Sequence, residues 1–581
     1  MSAAFRLLAL LLSALLAACA TQAQTTAIDD DDDDQEPAPA VARGPRPPPP
    51  KLPALELTGP LLYDMLLGEI ALQRDSAGLA AQTYAELARR TKDPRIARRA
   101  VEIASIARAP QFALEAAHAW HEADPASLQA LQTLAGLLVG ARKLDEAEPY
   151  LARLLEANGA AAANWFMQLG RLLAGNPDKQ ANQRLVRSLA AKYPDLPQAR
   201  LALAHAAFAA NDEAGALAEA RRAAQLQPGW EAAAIFEAQV LQRRSPAEAG
   251  KALAGFLEQY PGAREARLSY ARLLVTERKL PEARAEFEKL LDAHPNNGDV
   301  IYAVGLLAAQ LKDYATAETN LKRLLDLGFR DPNGVRFTLG QVAEEQKNWK
   351  AASDWYLSIQ RGEHYLPSRL RTAGVMAKEG RLAEAREFLR TVNASGEQRI
   401  QLLIVEAQLL REANQHREAF ALLGKALEAQ PEQPELLYDH ALTAEKLERF
   451  EVLEGSLRKL IQLKPDHAHA HNALGYSFAE RNLRLPEARK LIERALELSP
   501  EDYYIVDSLG WVLYRMGDLN GAAEQLRRAY LGRPDGEIGA HLGEVLWMMG
   551  ERAEAERIWQ DALKNHPENE TLHKTVKRLR R

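Results

Sequence analysis

Leu, Ala, Val and Ile recur at three- and four-residue intervals through most of the chain, with Glu, Arg, Lys and Gln between them. No stretch sustains the apolar-polar alternation of a half-buried strand. Leu, Ala, Glu and Arg are also strong helix formers, so the pattern predicts an almost wholly α-helical protein from about residue 60 onward. The helices recur with a period. Aligning Leu474-Gly475, Leu509-Gly510 and Leu542-Gly543, an offset of about twelve residues reaches Ala488, Ala522 and Ala555. Seven more residues reach Ala495, Ala529 and Ala562, and five more reach Pro500, Pro534 and Pro567. Towards the N-terminus, Pro465, Pro431, Pro295, Pro261, Pro228 and Pro194 keep a spacing near 33 or 34, and Gly340, Gly305, Ala271, Ala204, Gly170, Ala135, Ala104 and Gly68 hold the small position.

Each unit predicts two packed helices. The small residue in the first helix admits the second at short range, the alanines admit the next unit, and the proline, with no N–H to donate, stops the second helix. These offsets resemble the tetratricopeptide repeat (TPR). The resemblance implies an all-α TPR solenoid, a right-handed superhelix of about 15 helix pairs over residues 60–567 whose first helices line a concave inner face. Residues 568–581 are expected to form a capping helix over the last unit. Two stretches fit the register least well. In 160–194, Asn182 stands at the expected alanine, and in 364–397 no proline follows Val392.

The N-terminus follows other rules. Arg6 precedes an apolar run, Leu7 to Leu16, too short to span a bilayer as a helix, so residues 1–18 are expected to be an export signal. The run ends in Leu16-Ala17-Ala18-Cys19, which resembles the lipobox of bacterial lipoproteins and implies acylation of Cys19, the one cysteine of the chain. Ala20 follows where an aspartate would retain a lipoprotein on the inner membrane, so the resemblance implies an outer-membrane anchor facing the periplasm of a Gram-negative cell. Residues 19–59, with Asp29 to Asp34 and then a proline-rich stretch ending at Pro53, read as an extended, solvated tether.

Composition narrows the chemistry. A single cysteine excludes a disulfide framework, and a formal net charge of -6 argues against nucleic acid. His467, His469 and His471 share a short stretch, but only His467 and His471 lie on one helical face, so a metal site is not expected. No HExxH, phosphate-cradling glycine loop or GxSxG elbow occurs, acid pairs such as Glu344-Glu345 read as solvated helix faces, and neither catalysis nor a cofactor is expected. A basic cluster, Arg89, Arg90, Lys92, Arg95, Arg98 and Arg99, reads either as a solvated surface suited to a helix C-terminus or as a contact for an acidic partner.

In the repeat that the chain resembles, first-helix positions two, five, nine, twelve and thirteen face the groove. This rule selects Tyr504, Asp507, Trp511, Tyr514 and Arg515; His469, Asn472, Tyr476, Ala479 and Glu480; Glu544, Trp547 and Met548; and Tyr438. Aromatic residues make up only 6% of the chain, yet several fall on this stripe, and aromatic and Arg groups are common anchors of protein interfaces. A packing role against the neighbouring unit is the other reading. Asp507 stands where a carboxylate clamp would need a cation or amide. The lipobox, tether and repeats, with His471-Asn472-Ala473-Leu474-Gly475-Tyr476 and Asp507-Ser508-Leu509-Gly510-Trp511-Val512-Leu513-Tyr514, are similar over nearly the full chain to outer-membrane TPR lipoproteins that bind a periplasmic carboxyl-terminal processing protease. That similarity implies a non-enzymatic adaptor that brings the protease to peptidoglycan hydrolases. Assembly factors of secretion, pilus or polysaccharide-export machines, and activators of peptidoglycan synthesis, share the same features.

Overall fold

The computed structural model describes residues 52–580, so Cys19, the export signal and the acidic run lie outside the described residues. Thirty-one α-helices cover the described residues, and no strand occurs among them. They fall into two compact units. The first, ending at Leu327, holds eight helix pairs, from Gly59–Gln73 with Ala77–Thr91 to Gly298–Gln310 with Tyr314–Asp326. The second begins at Gly328 and holds seven pairs, from Pro332–Glu345 with Trp349–Leu357 to Gly536–Met548 with Arg552–Asn565. The expected closing helix follows as Glu570–Leu579; it buries Leu572 and Val576 and packs on Gly536–Met548.

Local chemistry explains each turn. Within pairs the first helix often ends in a left-handed residue, such as Asn211, Lys312, Lys347 or Gly517, and the next residue caps the second helix. Thus Asp212 accepts from the Gly215 N–H at 2.9 Å, and Asp518 from the Gly521 N–H at 2.9 Å. Between pairs, the stopping proline keeps a free carbonyl, and a side chain six residues on donates to it: Arg200 to Pro194 (3.0 Å), Arg267 to Pro261 (2.6 Å), His471 to Pro465 (3.0 Å) and His573 to Pro567 (2.7 Å).

The small-residue register is a packing requirement. A Cβ placed on Gly68, Gly305, Gly340, Gly475, Gly510 or Gly543 would fall within 3.2 Å of a second-helix side chain sixteen or seventeen residues on. The stretch that lacks its proline is handled by arginine. Arg369, buried on helix Tyr365–Lys378, donates to the carbonyls of Tyr356 (3.2 Å) and Ile359 (2.5 Å), closing the short helix Trp349–Leu357. Arg399 does the same for Leu382–Thr391 through Val392 O at 2.9 Å. The stretch carrying Asn182 departs further. Helix Ala162–Leu173 packs mainly on Pro197–Ala209 rather than on its own second helix, Lys179–Ala191.

Candidate functional site on the inner face of the C-terminal unit

Helices Ala468–Glu480, Tyr503–Arg515 and Gly536–Met548, first members of the last three pairs, pack side by side and bring the predicted stripe together. At its centre Asp507 and His541, both about 95% buried, face each other, with His541 Nδ1 3.0 Å from each carboxylate oxygen. The His541 ring stacks on Trp511 at 4.2 Å and 22°. Trp511 donates its Nε1–H to Glu480 Oε2 at 2.8 Å, and Tyr514 lies 5.2 Å from it between ring centroids. The Tyr514 hydroxyl donates to buried Glu544 at 3.2 Å, and Arg578 of the closing helix pairs with the other Glu544 oxygen. Each link joins residues 30 to 34 positions apart, so adjacent units are tied through polar groups as well as alanines.

The electrostatics follow from crowded carboxylates. Burial would push the His541 pKa down, but the Asp507 charge and hydrogen bond, helped by Glu537 and Glu480, raise it above the ordinary value and favour the imidazolium. Burial pushes the Tyr476 hydroxyl far up, with Glu537, Glu480, Asp507 and Glu445 adding to the shift, so Tyr476 stays a neutral donor. Glu445 and Glu537 are raised first by burial; Glu480 and Glu537 add to the Glu445 shift, while Asp507 adds to that of Glu537.

The predicted residues separate into three layers. His469, 3.9 Å from Asp502, Tyr504, beneath the Arg533 guanidinium at 4.6 Å, and Met548 are exposed. Tyr438, Asn472, Tyr476, Tyr514, Arg515 and Trp547 are half-buried. Among these, the Tyr438 ring lies 5.4 Å from His467, Arg515 donates to Glu480 O at 3.4 Å, and Trp547 lies 5.5 Å from buried Trp559. Asp507 and Trp511 are buried. Projection of Trp511 into open space, as the position rule anticipated, is therefore corrected: His541 from the following first helix covers its face and Glu480 from the preceding one takes its N–H. His541, at position six of its helix, was not selected by that rule. The signal that would have found His541 is its placement one repeat after Asp507, 34 residues on, where a cationic group meets an acidic one.

The other candidates resolve simply. His467 caps its helix by accepting the Ala470 N–H at 3.1 Å, His471 holds Pro465, and His469 is exposed, so the three do not converge. In the basic cluster, Arg89 pairs with Glu86, Arg90 with Asp64, Arg95 with Asp93, Arg98 with Glu102, and Arg99 with Glu69 at 3.0 Å. That surface carries its own counter-charges. Glu69 also accepts from the Tyr84 hydroxyl at 2.7 Å, whose pKa burial and this contact push up to about 12.

Comparison with known proteins agrees with this architecture. Tetratricopeptide-repeat families match residues 240–309 and, in three further segments, 302–364, 438–503 and 479–538. A TPR repeat-containing protein of Pseudomonas aeruginosa is 34% identical over 526 residues, 89% of this chain and 88% of that protein. Cellulose synthase operon protein C of Pseudomonas fluorescens is 25% identical over 325 residues, which cover 45% of this chain and 25% of that protein. Among solved structures, a thermophilic TPR protein of Thermus thermophilus is 22% identical and aligns with 31% of this chain and 97% of its own, at a TM-score of 0.29. With its repeat register, its fifteen helix pairs and a relative matched along nearly its whole length, the chain belongs to the tetratricopeptide-repeat proteins, a family of protein-binding scaffolds.

Proposed function

We propose that this scaffold is a non-enzymatic adaptor, held on the outer membrane by a lipid on Cys19 and facing the periplasm, that brings a carboxyl-terminal processing protease to its peptidoglycan-hydrolase substrates. The observation that carries the reading is the layered inner face of the C-terminal unit. Exposed Tyr504, His469 and Met548 lie on the same three helices, the last two of which carry the buried Asp507, Trp511, His541 and Glu544. A rigid aromatic and charged base with accessible groups around it is the arrangement that lets a surface bind at low ordering cost. The likeness to a TPR relative over 89% of this chain supports the scaffold, and the lipobox resemblance at Cys19 supports the anchor.

The test is affinity capture from detergent-solubilised envelope, with the full chain compared to a variant carrying Tyr504→Ala, His469→Ala and Met548→Ala. Recovery of a processing protease and hydrolases by the parent, reduced at least tenfold by the variant, is expected. Capture of these partners undiminished by the variant would move the docking surface elsewhere. A second reading, a scaffold within a polysaccharide-synthesis assembly, is favoured by the match to cellulose synthase operon protein C over nearly half of this chain. Capture of synthase subunits instead of a protease would select it. Cys19→Ser separates anchoring from folding: the protein is expected to leave the membrane fraction with its helicity unchanged.

A further inference from the structure

The fourth helix pair breaks the packing rule that the six other glycine-bearing units obey. Gly170 occupies the register of Gly340, Gly475, Gly510 and Gly543, where an added Cβ would meet a second-helix side chain, yet no atom lies within 4 Å of its own Cβ direction. Val186, sixteen residues on and its partner by register, lines the same empty space. Asn182 explains the gap. It stands where other units place an alanine, is 6% exposed, donates to Leu173 O at 3.1 Å and accepts from Asn176 Nδ2 at 2.9 Å. A pair of hydrogen-bonded amides thus wedges the base of the two helices, and an alanine methyl could not.

The space so opened is a cavity of about 350 Å³, walled by Phe166, Leu169, Leu173, Val186, Ala202 and Ala206. That volume lies at the small end of ligand pockets and suits one or two large apolar side chains. On the far side of helix Ala162–Leu173, a second hollow of about 400 Å³, with Trp165, Gly136 and Leu154 in its wall, shares Leu169 and Arg171 with the first. The polar groups of the cavity have one sign. Arg171 and Lys179 line it, and no Asp or Glu does. Arg171 is exposed and makes no ion pair among the described residues, in contrast to the paired arginines of the first two helix pairs. Lys179 is steered to this place by the carbonyls of Ala174 (3.0 Å) and Asn176 (2.7 Å), which use two of its three ammonium protons. His205, also in the lining, is held neutral by burial.

We propose that this opened pair receives the C-terminal end of a polypeptide, with its last apolar side chain in the cavity and its carboxylate on the Arg171 and Lys179 rim. An apolar pocket with unmatched cations favours an apolar group that carries a negative charge, and the planar guanidinium fork suits a carboxylate. The site lies in the N-terminal unit, apart from the inner face of the C-terminal one, so either assignment stands or falls without the other.

The experiment is fluorescence anisotropy with the full chain and labelled hexapeptides ending in Leu or Phe, each as the free acid and as the C-terminal amide. The free acids are expected to bind, and amidation to weaken them by about tenfold or more, since it removes charge-assisted hydrogen bonds. Arg171→Glu, at an exposed position, is expected to weaken the free acids by a similar factor. Gly170→Leu is expected to fill the cavity and abolish binding without lowering the melting temperature. Equal binding of acid and amide would overturn the proposal, as would peptide binding that survives Gly170→Leu. So would a Gly170→Leu chain that melts early, because the cavity would not be open, or binding of oleate with no binding of any peptide.

Discussion

Gly510→Leu tests the register on which the whole reading of the array rests. An added Cβ at Gly510 would lie 2.5 Å from Leu526 Cγ, 3.0 Å from Leu526 Cδ2 and 3.2 Å from the Ala522 carbonyl oxygen. Leu526 and Ala522 are fully buried, and a backbone carbonyl inside a helix cannot step aside, so helices Tyr503–Arg515 and Leu519–Gly532 must separate. Overpacking of this kind costs about 1 to 3 kcal/mol. Leucine returns somewhat less than ~1 kcal/mol through its better helix propensity, so the balance is a net loss. Because helix-pair arrays couple mainly to neighbours, the loss should be local. Hydrogen exchange is the suitable assay: amides of these two helices and of the adjoining Ala468–Glu480 and Gly536–Met548 should lose protection, while those before residue 300 keep it. Gly510→Ala should lie between, since Leu526 can yield in part. Unchanged or increased protection in Gly510→Leu would show that the two helices are not in close contact and would refute the register.

Three further outcomes are expected. Trp511→Ala, which removes a buried ring, should cost about 3 to 5 kcal/mol and loosen the C-terminal unit, whereas Tyr504→Ala should stay within about 0.5 kcal/mol; chemical denaturation followed by circular dichroism distinguishes them. His541 has a raised pKa in the fold, so its contribution is complete below the unfolded imidazole value near 6.5 and is lost as pH rises through the folded value. The melting temperature of the C-terminal unit should therefore decline above about pH 6.5, and His541→Asn should flatten that slope; a parent profile that rises with pH in this window would contradict the assigned charge. Arg369→Met, which strips the cap from helix Trp349–Leu357, should cost about 2 to 3 kcal/mol and raise hydrogen exchange at residues 355–360.

How much of this was legible in advance depends on the range of the interaction. Glycine, alanine and proline act within one unit, so their spacing alone predicted fifteen pairs and the closing helix. The polar core of the candidate site depends on which side chains meet across units. Asp507 finds His541, and Glu544 finds both Tyr514 and Arg578, only once three first helices and the closing helix lie side by side. Position rules locate the stripe but not the layers within it, which is why a groove-facing and a packing role both stayed open for Trp511 and His541 was passed over. Asn182 was visible as a departure from the pattern, yet its meaning required Asn176 and Leu173, whose polar groups turn an odd residue into a wedge. Arg369 carried no signal at all, because a guanidinium that ends a neighbouring helix obeys no spacing.

The proline carbonyls held six residues downstream bear on how the chain is delivered. A polypeptide that emerges N-terminus first, from a ribosome or through a translocation pore, can close each such latch as soon as the first turns of the following helix are free. The Asp507–His541 and Trp511–Glu480 ties need only one further unit. Nothing in these links waits for a distant part of the chain. Construction can therefore keep pace with emergence, and the apolar edge of each new pair is exposed only for the time needed to make about thirty more residues available, which limits the interval for aggregation.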